Sequence, residues 1–340
     1  VSALAETEQA RPAPAGYVDS EPGVRQRAVF IIGAGRSGTS TIARGVAALG
    51  VDLGERFKAA TRKNPTGFFE HAELLAISKQ VRRTIDIRAD SVRLIAPESL
   101  QGARLEPMRL RARQVIRRDF ARSPIWGFKY GRTLRILPFW NPLLESLQVD
   151  ASFVIALRNP LSVARSRAKL DPRRGRQAVS DLEWLVSIVP FLRLTRGQPL
   201  AVVDYDLLMD APVEQLQRLG SLLQLPAGYA RAVDIDAYAT GFLRPGMRHT
   251  CFTDADLERS TGVNPLVRDA YRLLYRLANG AWSPDDVEFW DAWSVIEDGL
   301  HILAPALELL DACESERRRA MMNPLGSLQA LSLLRNALRR

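Results

Sequence analysis

The sequence predicts a three-layer α/β fold, with a central, mainly parallel sheet flanked by helices and then a helical C-terminal extension. Three observations predict it. Short apolar segments, in part β-branched or aromatic, recur along the chain. Longer stretches of helical periodicity separate them, and such alternation favours parallel strands whose crossover helices cover both faces of the sheet. The first apolar segment also runs directly into a glycine-rich turn and a helix, and sheets of this kind take their ligands at the carboxyl ends of the strands.

In chain order, residues 1–27 are rich in Ala, Pro, Glu and Gly without periodicity and read as a disordered lead. Strands are expected at Ala28–Gly33, Trp126–Lys129, Ser152–Leu157 and Leu200–Val203. Helices are expected at Thr41–Leu49, Ala72–Asp86, Glu106–Ala121 and Val179–Thr195, with Pro160 opening another. From Asn264 on the pattern is helical and rich in Leu, Arg and Trp. This divides the chain into an α/β domain at 28–263 and a helical cap or extension at 264–340. The final stretch, Pro324 to Arg340, sets Leu325, Leu328, Leu331 and Leu338 beside terminal arginines. Such a basic amphipathic helix suits peripheral contact with a membrane surface, or packing on its own core or on a second subunit.

Composition narrows the function. The 340 residues are 46% apolar, enough for a sizeable core. Net charge is +9, and 42 of the 47 basic residues are arginine, a balance that suits a polyanionic ligand. The basic residues are spread along the chain without interleaved aromatics or a known nucleic-acid motif, so nucleic acid is not an expected partner. Cys251 and Cys313 lack metal-ligand spacing and the three histidines do not cluster, which argues against a structural zinc. No apolar run reaches membrane-spanning length and no signal peptide opens the chain, so the cytoplasm is the expected compartment.

Residues Ile31 to Ser40 read IIGAGRSGTS. A strand, a glycine-rich turn with a cation and a helix bind phosphate through backbone N–H groups and the helix N-terminus. The Gly33-x4-Gly38 spacing is that of a P-loop, but Thr39 stands where the Lys should follow Gly38, and Arg36 is the turn's only cation. Without that Lys on the β- and γ-phosphates, ordinary ATP or GTP hydrolysis is disfavoured. A second segment, Phe153 to Ser166, reads FVIALRNPLSVARS: an apolar strand, Arg158, Pro160 opening a helix, then Ser166. Arg at a strand end and Ser on the next helix can grip one phosphate from two sides, by charged fork and hydroxyl. Either segment alone is also consistent with an unliganded strand-to-helix turn, with Arg165 and Arg167 as solvated charges.

Together the two segments resemble PAPS-dependent sulfotransferases, where PAPS is 3′-phosphoadenosine 5′-phosphosulfate. Arg36-Ser37-Gly38-Thr39-Ser40 resembles the 5′-phosphosulfate loop, and Arg158-Asn159-Pro160 with Ser166 resembles the 3′-phosphate element. Asp204-Tyr205-Asp206-Leu207 is close to that family's Tyr-Glu-Asp-Leu strand end, which implies Tyr205 beside the adenine; a core Tyr capping a strand is the alternative. The resemblance runs from about Val29 to about Pro226 and implies a P-loop-like fold. It implies that Gly35, Arg36, Ser37, Gly38, Thr39 and Ser40 hold the 5′-phosphosulfate, and Arg158 and Ser166 the 3′-phosphate. The family often closes a basic loop over that phosphate, which brings in Arg244 or Arg248 from Leu243–His249; solvated loop charges are the alternative.

Sulfuryl transfer to a hydroxyl needs a general base near the attacking oxygen and cations on the leaving group, with no metal required. Asn64 to His71 reads NPTGFFEH and resembles the NP-x-G-[FY]-[FW]-E segment of bacterial sulfotransferases, whose Glu faces the acceptor. Glu70 is therefore the expected base. His71 is the runner-up, because imidazole titrates near neutral pH, and a helix N-terminal acid is the structural alternative for Glu70. Trp126 to Arg132 reads WGFKYGR where many relatives have Lys-Asp-Pro-Arg, so Tyr130 and Gly131 depart from the pattern. Lys129 is expected either to reach the sulfonate or to pair with a carboxylate. The expected activity is transfer of the sulfuryl group of PAPS to a hydroxyl of a small-molecule or glycan acceptor, on a carbohydrate, glycolipid or glycosylated metabolite as in bacterial relatives, leaving 3′,5′-adenosine bisphosphate. The alternatives are a small-molecule kinase with a degenerate P-loop, with Asp204 as its acid, and a non-enzymatic binder of anionic polymer.

Overall fold

Four strands, β1 (Arg27–Gly33), β2 (Ile125–Lys129), β3 (Asp150–Leu157) and β4 (Leu200–Asp204), pair in parallel in the order β2-β1-β3-β4. The computed structural model describes residues 25–58 and 67–322. The register sets Phe30 level with Phe128 on one side and Phe153 on the other, and Gly33 level with Ala156. The chain moves outward from β1 to β2, then returns across β1 to β3. The carboxyl ends of β1 and β3 therefore flank the topological switch point, where open α/β sheets bind their ligands.

Helix α1 (Thr39–Ala48) follows β1, and α2 (Ala72–Thr84) and α3 (Glu106–Asp119) lead to β2. Helix α4 (Leu137–Leu147) joins β2 to β3, while α5 (Pro160–Ala168) and α6 (Gln177–Ile188) join β3 to β4. After β4 come α7 (Tyr205–Asp210), α8 (Pro212–Leu222), α9 (Ala232–Asp236) and α10 (Asp254–Arg259). The described chain ends with α11 (Pro265–Ala278), α12 (Val287–Ile302) and α13 (Ala304–Met322). Among the described residues no helix is long and apolar enough to cross a membrane.

Successive strand residues face opposite sides of a sheet, so a strand buried on both faces reads as an unbroken apolar run. In β1, Ala28, Phe30 and Ile32 enter one core with Phe128, Trp140 and Phe153, while Val29 and Ile31 enter the other with Ile42, Val46 and Leu219. Phe30 anchors the first layer, its ring 5.9 Å from Phe153 and 5.9 Å from Trp140. Val267, Leu274, Phe289 and Trp293 of α11 and α12 belong to this same core, so the helices after Asn264 pack directly on the sheet layer.

All four strands lie where the apolar runs put them, with small shifts at the ends. Arg27, expected in the lead, opens β1 and donates its N–H to Pro124 O at 2.9 Å. The helix expected over Val179–Thr195 is broken: α6 stops at Ile188, and Leu192–Thr195 forms a separate 3-10 turn. Pro190 cannot continue the hydrogen-bond ladder, and Phe191 reverses the backbone at φ 63°. Residues 1–24, Asn64-Pro65-Thr66 and the expected C-terminal amphipathic segment Pro324–Arg340 lie outside the described residues.

Candidate active site

Each strand delivers a candidate site residue at its carboxyl end. The turn after β1 requires glycine at both ends. A Cβ on Gly33 would lie 2.7 Å from Ala156 O, and one on Gly38, at φ 82°, would collide with the Tyr205 ring. Arg36, between them, adopts φ 79°, a left-handed conformation that costs a non-glycine residue free energy. Its side chain is held across the switch point, with Nε donating to Ser166 Oγ at 3.0 Å. Gly38 caps α1 without any side-chain acceptor, so the first-turn N–H groups of that helix face the turn as donors. Ser37 is fully buried and its Oγ has no hydrogen-bond partner among the described residues.

Arg158 follows β3 and closes the other side. One terminal nitrogen donates to Thr250 O at 3.1 Å, the guanidinium lies 4.5 Å from the centre of the Tyr205 ring, and Nε is buried without a partner among the described residues. Burial, and then the neighbouring Arg158 charge, hold the Arg36 guanidinium below its usual range. Neither arginine forms an ion pair among the described residues. Two facing guanidiniums, an unpartnered buried hydroxyl and an uncapped helix N-terminus make a site complementary to an anion. A phosphosulfate and a second phosphate fit this donor set.

The segment after α9 forms the roof. Tyr205 donates its hydroxyl to Met247 O at 3.0 Å, and Asn159 Nδ2 donates to Phe252 O at 3.1 Å while its Oδ1 caps α5 by accepting from Leu161 N. Arg248 lies on this roof, paired with Asp210 at 2.6 Å and 3.9 Å from Asp206; Arg244 is exposed. Asn159 and Thr250 were not among the expected site residues. Asn before Pro at a helix start was a legible capping signal, whereas Thr250 carries no sequence signal at all.

On the β2 side, Lys129 is only 4% exposed, and Nζ donates to Ser40 Oγ at 3.2 Å, Phe68 O at 3.0 Å and Glu70 Oε1 at 3.1 Å. It thus ties the first turn of α1 to Glu70. Burial lowers the Lys129 ammonium from its ordinary range, and Glu70 opposes that shift. The departure at Tyr130-Gly131 has a packing cause. Gly131 O accepts from Gly33 N at 3.2 Å, a Cβ on Gly131 would lie 2.8 Å from Gly33 O, and Tyr130 is buried in the core.

His71 takes a different position. It caps α2, with Nδ1 accepting from Leu74 N at 3.4 Å, and Nε2 is 3.0 Å from Asp119 Oδ2, so hydrogen bonding assigns the ring proton to Nε2. The ring is 1% exposed and packs on Phe120, and burial lowers its pKa against the pull of Asp119. The structure brings Glu70, Lys129 and Ser40 together and turns His71 toward α3. Arg167 is likewise not a solvated charge: it is buried, donates to Gly35 O and Ser180 O, and pairs with Glu183 at 3.4 Å. Its spacing of four from Val163 puts both on the inner face of α5. Asp204 caps α7, with Oδ1 accepting from Asp206 N at 2.9 Å and Leu207 N at 3.1 Å, and burial pushes its carboxyl up to about 7. Among the described residues no group of three or more His, Cys, Asp and Glu gathers as a metal site.

A scan against models of protein families gives no match, and a search of curated proteins gives none. Among solved structures, one described as the sulfotransferase domain from the curacin biosynthetic pathway aligns over 80% of this chain and 98% of that domain, at 14% identity and a TM-score of 0.36. At that score the architecture rests on the strand order itself.

Proposed function

We propose that this chain is a PAPS-dependent sulfotransferase that moves a sulfuryl group to a hydroxyl of a small-molecule or glycan acceptor. The observation that carries the reading is the pairing of two guanidiniums, Arg36 and Arg158, across the switch point with Lys129 joining Ser40 to Glu70. Gly35 to Ser40 and Arg36 would hold a 5′-phosphosulfate, Arg158 and Ser166 a 3′-phosphate, and Tyr205 the base; Arg248 would supply further positive charge from the roof. Bound there, PAPS supplies the sulfuryl group and a phosphate leaving group for an in-line displacement.

Glu70 accepts the acceptor hydroxyl's proton, and its ion pair with Lys129 holds the carboxylate in place. As Glu70 is neutralised, the Lys129 charge loses its counter-ion and becomes available toward Ser40, on the side of the phosphate turn. Arg36 sets its charge against the leaving oxygen, where such charge is worth most in the transition state. Asp204, the acid a kinase would need for Mg²⁺, has Oδ1 engaged in capping α7. Thermal shift with 3′,5′-adenosine bisphosphate, ATP plus Mg²⁺, and an oligonucleotide separates this reading from a kinase and from a polymer binder. A nucleotide at a thousand times its Kd adds about 4 kcal/mol of stability. Stabilisation by ATP–Mg²⁺ and not by the bisphosphate would reject the reading, and labelled PAPS then identifies acceptors.

A further inference from the structure

The chain carries nearly all its positive charge on arginine, and only five lysines occur in its 340 residues, at 58, 63, 79, 129 and 169. Three of the five gather around Glu70. Lys129 Nζ is 3.1 Å from Oε1 and Lys58 Nζ is 3.9 Å from Oε2. Lys58 is held there by the Phe68 ring, whose centre is 3.7 Å from its ammonium. Lys79 sits two turns into α2, half-buried and without an ion pair among the described residues; burial and then the Lys58 charge lower its pKa, against the pull of Glu70.

The excess of cations continues along the same helix. Arg82, one turn beyond Lys79, is 6% exposed, has no ion pair among the described residues, and leaves Nε buried without a partner. Its guanidinium lies 6.0 Å from the centre of the Tyr130 ring, next in sequence to Lys129. One carboxylate therefore has three ammoniums around it, and a buried guanidinium lies one turn beyond the third. Gathering like charges in a half-buried space is unfavourable unless an anion enters it. Ammonium groups on flexible stems suit a point-charge contact whose geometry varies with the ligand, where arginine would impose a planar fork.

We propose that the acceptor carries its own anionic group, a phosphate or sulfate ester or a carboxylate, held by Lys58, Lys79 and Arg82 beside the hydroxyl that Glu70 deprotonates. The proposal rests on the sulfotransferase reading for the meaning of Glu70. The anion site itself stands on the cation geometry, and the two can be tested apart.

The experiment is thermal unfolding of the full chain saturated with 3′,5′-adenosine bisphosphate, with inorganic phosphate, glucuronate or glucose added at matched ionic strength. Phosphate or glucuronate should raise Tm by a further ~2 °C or more, and neutral glucose should not. Lys79→Ser and Lys58→Ser should each abolish that second rise while keeping the rise due to the bisphosphate, which separates site binding from the general stabilising effect of such salts. No second rise in the parent chain, or a second rise retained in both variants, overturns the proposal. If the bisphosphate alone gives no rise, the sulfotransferase reading fails, and the phosphate effect is then read in Arg158→Ala. A rise there that disappears on adding Lys79→Ser supports the anion site, and its absence overturns it.

Discussion

Replacing Glu70 by Gln isolates the proton acceptor from the framework around it. Gln keeps the volume and an amide oxygen within reach of Lys129, 3.1 Å away in the parent chain, but cannot take a proton. Lys129 would keep its bonds to Ser40 Oγ and Phe68 O, so the lost term is the difference between a charge-assisted and a neutral hydrogen bond. That difference is about 1–2 kcal/mol of stability, short of the 3–5 kcal/mol expected when a buried partner is left wholly alone. Turnover should fall far more, by roughly 10²–10⁴-fold, with bisphosphate affinity nearly intact. The loss of Glu70 also removes what opposes the downward shift of Lys129. A lysine whose folded pKa lies below its unfolded value binds fewer protons when folded, so stability rises with pH up to the unfolded pKa near 10.5. The variant's deficit should therefore shrink as pH rises toward that value. Urea unfolding across that rise in pH and single-turnover transfer from labelled PAPS measure these effects. Turnover within tenfold of the parent chain would refute the base assignment and leave Glu70 as a structural counter-ion for Lys129. If folded His71→Ala abolishes transfer while Glu70→Gln does not, the base is His71.

Four further outcomes are expected. Arg158→Ala should weaken 3′,5′-adenosine bisphosphate binding by about 1.5–3 kcal/mol, more than tenfold, and adenosine 5′-phosphosulfate binding much less; calorimetry showing equal losses would make Arg158 merely structural. Arg36→Ala should lower turnover more than it raises the PAPS Kd, and Arg36→Lys should restore part of it; normal turnover at saturating PAPS rejects the leaving-group role. Asp204, raised from 3.8 to about 7 by burial, binds a proton in the folded chain that the unfolded chain releases, so stability should fall as pH rises between those values. Asp204→Asn should flatten that slope, by at most about 1.4 kcal/mol per pH unit, in chemical unfolding at pH 4 to 7. Gly38→Ala should cost at least about 1 kcal/mol in thermal unfolding and weaken bisphosphate binding, because a left-handed backbone gains a Cβ directed into the Tyr205 ring; unchanged binding would mean that the loop tolerates displacement of Tyr205.

By itself the sequence determined what depends on neighbours along the chain. Apolar runs buried on both faces marked β1 to β4, and the Gly33-to-Gly38 spacing marked a turn whose backbone admits no side chain at either end. Arg158 at a strand end was legible for the same reason. Helix ends were less so: periodicity carried the expected helix through Pro190, where the missing N–H stops it at Ile188. The tertiary structure alone separated adjacent residues in space. Glu70 and His71 differ by one position, yet a cap on Leu74 and the Asp119 carboxylate draw His71 into the core, while Lys129, distant in sequence, draws Glu70 toward the first turn of α1. Arg167, a solvated charge on the unliganded alternative, is enclosed by Gly35 O, Ser180 O and Glu183, which lie far from it or on another helix. The lysines at 58, 79 and 129 were visible as rarities but not as neighbours. Charge interactions fall off over ångströms of space, and residues separated by a helix, a loop and a strand share that space only after the sheet has formed.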